Sequence, residues 1–149
     1  MRKLLLSLGM VFCGGLILAV LFLGVGHRAA RPVRADGVLK TVQDVATTAI
    51  TPTFNTITST NGISFVNDGR VLAVFLSTST DSEYITVTTP FSAAGLDLAD
   101  LSTTIGAGEY RVIGPFPPQY FNYQTGTQAG RTVIQCSSLT SVTVALLHY

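Results

Sequence analysis

Asp68-Gly69-Arg70-Val71-Leu72-Ala73-Val74-Phe75-Leu76-Ser77-Thr78-Ser79-Thr80-Asp81-Ser82-Glu83-Tyr84-Ile85-Thr86-Val87-Thr88-Thr89-Pro90 is the stretch that decides the fold. Val71 to Leu76 is apolar at every position, as in a central strand covered on both faces. Tyr84 to Thr88 alternates, with Ile85 and Val87 on one face and Tyr84, Thr86 and Thr88 on the other, as in a half-buried strand. Ser77 to Ser82 is rich in turn formers, which predicts that the two runs pair as an antiparallel hairpin.

Working outward, the same grammar repeats. Asn61-Gly62 and Asn67-Asp68-Gly69 are turn signals that bracket the strand Ile63-Ser64-Phe65-Val66. The loop from Phe91 to Asp100 has room for one short helical turn. Ser102 to Ile105 and Glu109 to Ile113 read as strands joined by a hairpin turn at Gly106-Ala107-Gly108. Gly114-Pro115-Phe116-Pro117-Pro118 ends the second of these, because three prolines remove three ladder donors. Arg131 to Cys136 and Ser141 to Leu147 are the last two strands. Before the central stretch, Thr41–Thr47 reads as an edge strand and Phe54–Thr58 as a second extended piece. This threonine-rich segment either belongs to its own sheet or crosses to complete a neighbour's.

Short strands at regular spacing with no amphipathic helix predict an all-β domain. The expected form is an antiparallel β-sandwich or jelly roll of about eight short strands, preceded by one N-terminal hydrophobic helix. Three regions follow: 1–35 as a targeting segment, 36–62 as an extended lead-in with an edge strand, and 63–149 as the core of the sandwich.

Residues 1–35 carry Arg2-Lys3, then an apolar run from Leu4 to Gly26, then a basic stretch ending in Val33-Arg34-Ala35. The small-residue spacing at Val33 and Ala35 fits signal-peptide cleavage before Asp36. The apolar run is also long enough to span a bilayer, which leaves a retained membrane anchor open. The bulk of Phe12 argues against lipid attachment at Cys13. Either way the β domain is expected outside the cytoplasm, secreted or membrane-anchored.

The chain carries +1 overall, but the bases are concentrated ahead of Ala35. From Asp36 onward Lys40, Arg70, Arg111 and Arg131 face eight acids, which leaves −4. An acidic domain without a basic cluster does not suit nucleic-acid phosphates. Cys136 is alone once a leader is removed and reads as a small buried residue. The expected core is large enough, at roughly 65% of the unfolded surface buried, to need neither disulfide nor metal.

No catalytic set emerges. His27 lies in the leader and His148 is penultimate, so any Ser-His-Asp or Cys-His site would depend on a terminus expected to fray. No His/Cys cluster exists for a metal. Asp81 with Glu83, or Asp97 with Asp100, could offer oxygens to calcium, but solvated loop carboxylates account for them. No cofactor is implied, and the chain is read as not an enzyme. Arg70 and Arg111 are placed to pair with Asp68 or Glu109. The candidate partner-contact residues are Phe116, Tyr120, Phe121 and Tyr123. These aromatics either stack on a glycan or partner protein, or close one end of the domain as a plug, and the plug is the favoured reading.

The order of Thr51-Pro52-Thr53-Phe54, Asn67-Asp68-Gly69-Arg70, Tyr84-Ile85-Thr86-Val87-Thr88-Thr89, Gly106-Ala107-Gly108-Glu109, Gly114-Pro115-Phe116-Pro117-Pro118 and Leu139-Thr140-Ser141-Val142-Thr143-Val144-Ala145 resembles a group of small tailed-phage and prophage structural proteins. The resemblance covers roughly Lys40 to Tyr149 and is most specific at Asn67–Arg70 and Gly114–Pro118. It implies a compact β-sandwich with an accessory role on a virion, and it brings no catalytic residues. Residues 1–35 depart from that pattern, since virion proteins assemble in the cytoplasm. They imply a module adapted to the cell surface or to an extracellular assembly. The expected function is therefore a structural or interaction protein that self-associates or decorates a larger assembly. The alternative is a surface glycan-binding module using the Phe116–Tyr123 loop.

Overall fold

The structure is a computed structural model, and it describes residues 37–46 and 49–149. The expected targeting segment, its hydrophobic helix and Cys13 lie outside the described residues. Among the described residues no helix is long and apolar enough to cross a membrane.

The described chain is all-β apart from one four-residue helix. Its strands are β1 (Val38–Leu39), β2 (Gln43–Asp44), β3 (Asn55–Thr56), β4 (Ile63–Val66), β5 (Val71–Ser77), β6 (Glu83–Val87), β7 (Ser92–Ala93), β8 (Leu96–Asp97), β9 (Leu101–Ile105), β10 (Tyr110–Ile113), β11 (Arg131–Cys136) and β12 (Val142–His148). The helix α1 (Pro118–Phe121) lies between β10 and β11. One sheet runs β1-β4-β11-β6-β9. The second runs β10-β5-β12-β2, with β3 also pairing on β12. The sheets are mixed rather than wholly antiparallel, because β1 pairs β4 and β2 pairs β12 in parallel.

Alternation explains which side chains meet. β5 buries Val71, Ala73, Phe75 and Ser77 and leaves Leu72, Val74 and Leu76 half-buried on its other face. β6 buries Ile85 and Val87 and exposes Tyr84. These residues join Ile63, Phe65, Ile105, Ile134, Val142, Val144 and Leu146 in one core drawn from both sheets. Ile57, just beyond β3, belongs to the same core.

The expected hairpin between β5 and β6 does not form. β5 lies between β10 and β12, while β6 lies between β11 and β9 in the other sheet. Ser77–Ser82 is a crossing between sheets, fixed where Thr78 N–H donates to Ser141 C=O at 2.7 Å. Both runs bury one face into the same core, so placing them in opposite sheets buries both stripes together. The turn at Gly106–Gly108 crosses sheets in the same way, since β9 pairs β6 and β10 pairs β5. Phe91–Asp100 holds the β7–β8 ribbon in place of a helical turn.

The lead-in strands pair with this chain's own β4 and β12, and they are shorter than the expected Thr41–Thr47 edge strand. Gly62 makes the entry to β4 possible. Its φ is +78°, and a Cβ there would sit 2.0 Å from the Ile134 carbonyl oxygen.

Candidate functional site

Three features could carry function: the aromatic end, a histidine held by two carboxylates, and the outward face of the second sheet.

At the aromatic end the four candidate residues separate. Phe116 is 1% exposed and meets Phe65 and Phe121 edge-on, each at 5.7 Å between ring centroids. Phe121 is half-buried against the core. Tyr120 is 40% exposed and packs edge-on against Phe91 at 5.4 Å. Tyr123 is half-buried and lines a shallow dimple of about 210 Å³ with Pro118, Gln119, Asn122, Gln124 and Gly130. The four therefore do not form one platform. Two anchor the connection, and Tyr120 and Tyr123 border solvent at different places.

A buried polar cluster holds this connection in position. Asn67 Nδ2–H donates to Phe116 C=O at 2.8 Å, and it also reaches Asn122 Oδ1 at 2.7 Å and Thr132 Oγ1 at 3.0 Å. Thr132 O–H donates to Asn122 Oδ1 at 2.9 Å, and Asn122 Nδ2–H donates to Asn67 C=O at 2.7 Å. Asn67 Oδ1 accepts from Gly69 N–H at 3.0 Å, which shapes the β4–β5 turn. All three side chains are buried, so each bond is made where water cannot replace it. Gly114 allows the close approach, since at φ +122° its added Cβ would lie 2.7 Å from Val71 C=O.

His148 is the last residue of β12 and is held in the sheet by β5 and β2, not frayed. Its Nδ1 lies 2.9 Å from Asp44 Oδ1 and its Nε2 lies 2.9 Å from Asp68 Oδ2. Asp44 comes from the lead-in and Asp68 from the β4–β5 turn, 104 and 80 residues away in sequence. No local pattern marks this trio, and sequence reasoning missed it. The Arg70 N–H bond to Asp68 and then the His148 contacts hold the Asp68 carboxyl below its usual value of 3.8. Arg70 does not pair with Asp68, and its guanidinium lies 5.7 Å from the Tyr149 ring centroid. Arg111 does reach Glu109, at 3.6 Å. The trio borders an open, mainly apolar groove of about 440 Å³ lined by Leu39, Val42, Val66 and Val71, with Lys40 alongside. Both ring nitrogens face carboxylates, so neither is left to take a proton from a hydroxyl or thiol nucleophile. Because the two carboxylates hold opposite sides of the ring, they do not converge on a cation. Among the described residues no group of three His, Cys, Asp or Glu does so.

The outer face of the second sheet carries no charge. Directly paired residues share a face. The β10–β5 and β5–β12 registers therefore bring Tyr110, Val112, Leu72, Val74, Leu76, Thr143, Ala145 and Leu147 together on it. Tyr110 is 66% exposed and Val112 59%. The first sheet's outer face is mixed, with Tyr84, Thr86, Ser102, Thr104, Arg131 and Gln135 beside Val133 and the exposed Val66 and Leu39.

Other polar side chains are engaged within the fold, although the buried Gln128 side-chain amide has no hydrogen-bond partner among the described residues. Glu83 accepts from Ser79 and Ser137 hydroxyls, and Asp100 accepts from Thr89 N–H at 2.8 Å. Cys136 is half-buried, and desolvation pushes its thiol above the ordinary range. Comparison with protein-family models, with curated proteins and with solved structures finds no match to this chain.

Proposed function

We propose that this chain is a non-enzymatic structural or interaction protein. It is an exported β-sandwich of jelly-roll type that self-associates or decorates a larger assembly, in keeping with the phage-type accessory proteins it resembles. The carrying observation is the uncharged β10–β5 part of the second sheet's outer face, where exposed Tyr110 and Val112 stand beside Leu72, Val74 and Leu76. An antiparallel sheet with one face in water normally presents polar side chains there, and the first sheet does so along β6 and β9 with Tyr84, Thr86, Ser102 and Thr104. An apolar, charge-free face instead fits contact with another molecule. The sheet-switching connections support the sandwich, since they place consecutive strands in opposite layers over one core. The engagement of both His148 nitrogens supports a role without catalysis.

The test is Val112→Asp in the full chain expressed in its host. Native electrophoresis and sedimentation of the extracted protein should move from a complex to the free chain, while circular dichroism keeps its strand signal. Complexes unchanged by a charge on this face would end the proposal.

The glycan-binding alternative is favoured by one observation: Tyr123 and the amides of Gln119, Asn122 and Gln124 line a small dimple. Loss of binding to a glycan array in Tyr123→Ala, with the fold kept, would move the function there.

A further inference from the structure

Resting on that reading of the second sheet, we propose that its partner is a second copy of this chain, paired antiparallel through β10 about a twofold axis at Tyr110. The ladder with β5 sets the parity. Ser77 N–H donates to Glu109 C=O at 3.0 Å, so Glu109, Arg111 and Ile113 turn their backbone groups toward β5. Tyr110 and Val112 turn theirs the other way, and no described strand pairs on that side.

Exposed edges are usually blunted by a very short strand, a charge, a proline, a bulge or a covering loop, and of these β10 has its four-residue length and Arg111. β10 reads Tyr-Arg-Val-Ile, is paired with β5 at every residue without a bulge, and exposes Tyr110 and Val112. Among the other end strands, β1 and β2 are two residues long and β9 presents mainly Ser102, Thr103 and Thr104.

Charge order selects the occupant and the register. Glu109 and Arg111 lie two residues apart on one face of the strand, with opposite signs and 3.6 Å between them. Antiparallel pairing with Tyr110 opposite its own copy sets each Glu109 across from the other copy's Arg111. The result is four charges of alternating sign. A slip that centres the axis on Arg111 sets like charges opposite each other, which is unfavourable. In the chosen register Tyr110 exchanges N–H and C=O bonds with its copy, and the two rings meet on the outer face. The two apolar faces then join into one platform on the same side of the extended sheet. The ladder is short, so pairing is concentration-dependent and strengthened where copies are held together on an assembly.

Cysteine trapping tests this in the full chain carrying Cys13→Ser and Cys136→Ala. A hydrogen-bonded antiparallel pair has Cα atoms about 5.5 Å apart, within disulfide range. Tyr110→Cys should therefore give a covalent dimer under mild oxidation, and Val112→Cys should not. A dimer from Arg111→Cys and none from Tyr110→Cys would overturn the register and its charge argument. Glu109→Arg and Arg111→Glu, each added to Tyr110→Cys, should cut the trapped fraction about five-fold, and the double exchange should restore it. Failure of the double exchange to restore trapping would overturn the proposal. If Tyr110→Cys gives no dimer while Val112→Asp still dissolves a native complex, self-pairing is refuted and the interaction surface stands. If neither variant changes the assembly state, both fall.

Discussion

Asn67→Ala tests how the aromatic end is held. The substitution removes a donor from Phe116 C=O, a second donor shared between Asn122 Oδ1 and Thr132 Oγ1, and the acceptor for Gly69 N–H. The consequences differ. Asn122 Oδ1 keeps the Thr132 hydroxyl as a donor, so only a net bond is lost there, at about 1 kcal/mol. Phe116 C=O has no such substitute and sits in a residue 1% exposed. Stranding it costs a desolvation penalty of about 1–3 kcal/mol. Gly69 N–H is half-buried and regains water in part. The sum is about 3 kcal/mol, which is large against total stabilities of about 5–15 kcal/mol but leaves the chain folded. Thr132→Val removes one hydroxyl while Asn122 Oδ1 keeps Asn67 as donor, and should cost about 1 kcal/mol. The double variant should cost more than the sum of the two, because Asn122 Oδ1 then loses both of its donors and is stranded in a buried residue. Urea unfolding followed by circular dichroism reads all three. A loss below about 1 kcal/mol for Asn67→Ala, or equality with Thr132→Val, would refute the account of a buried acceptor left without a donor.

Three further outcomes are expected. Phe116→Ala should cost about 3–5 kcal/mol as a buried aromatic truncation, whereas Tyr120→Ala should cost about 1 kcal/mol for one edge-on contact, both read by urea unfolding. Gly62→Ala should abolish soluble expression, because both the left-handed backbone and the Ile134 carbonyl oppose a Cβ, and Gly126→Ala, with nothing within 4 Å, should express with only a modest fall in melting temperature. Asp68 has a folded pKa below its unfolded value, so the unfolded chain takes up the proton first on acidification. Its contribution is present above about pH 4 and fades as pH falls through the folded value, and Asp68→Asn should flatten that acid limb in melts between pH 2 and 5.

The sequence carried the faces of the strands more fully than their neighbours. Period-2 alternation assigns Ile85 and Val87 to the core and Tyr84 to solvent, and the structure agrees. β11 begins and ends where the sequence reading places it, at Arg131 and Cys136. Alternation does not state which sheet a strand joins. A turn-rich linker such as Ser77–Ser82 serves a hairpin or a sheet crossing equally well. What decides is whether the flanking strands have free edges for each other, and β5 has both edges taken by β10 and β12, from far along the chain. The same ambiguity explains Gly106–Gly108.

Sites assembled from distant residues were out of reach for a related reason. Asn67 and Asn122 each stand beside turn formers, where asparagine is ordinarily a local turn residue, so neither announces a buried partner 55 residues away. His148 looked like a fraying end because nothing local holds a penultimate residue. It is fixed by pairing with β5 and β2 and by carboxylates from two other segments. The apolar outer face was half legible. Val71–Leu76 declares two apolar faces, but a buried central strand and a strand with a partner outside the chain give the same pattern. The register adds what the pattern lacks, by placing the exposed Tyr110 and Val112 beside the half-buried Val74 and Leu76. The residues that look most overdetermined as core are therefore the ones that connect the fold to its proposed use, because their second face is apolar without being enclosed.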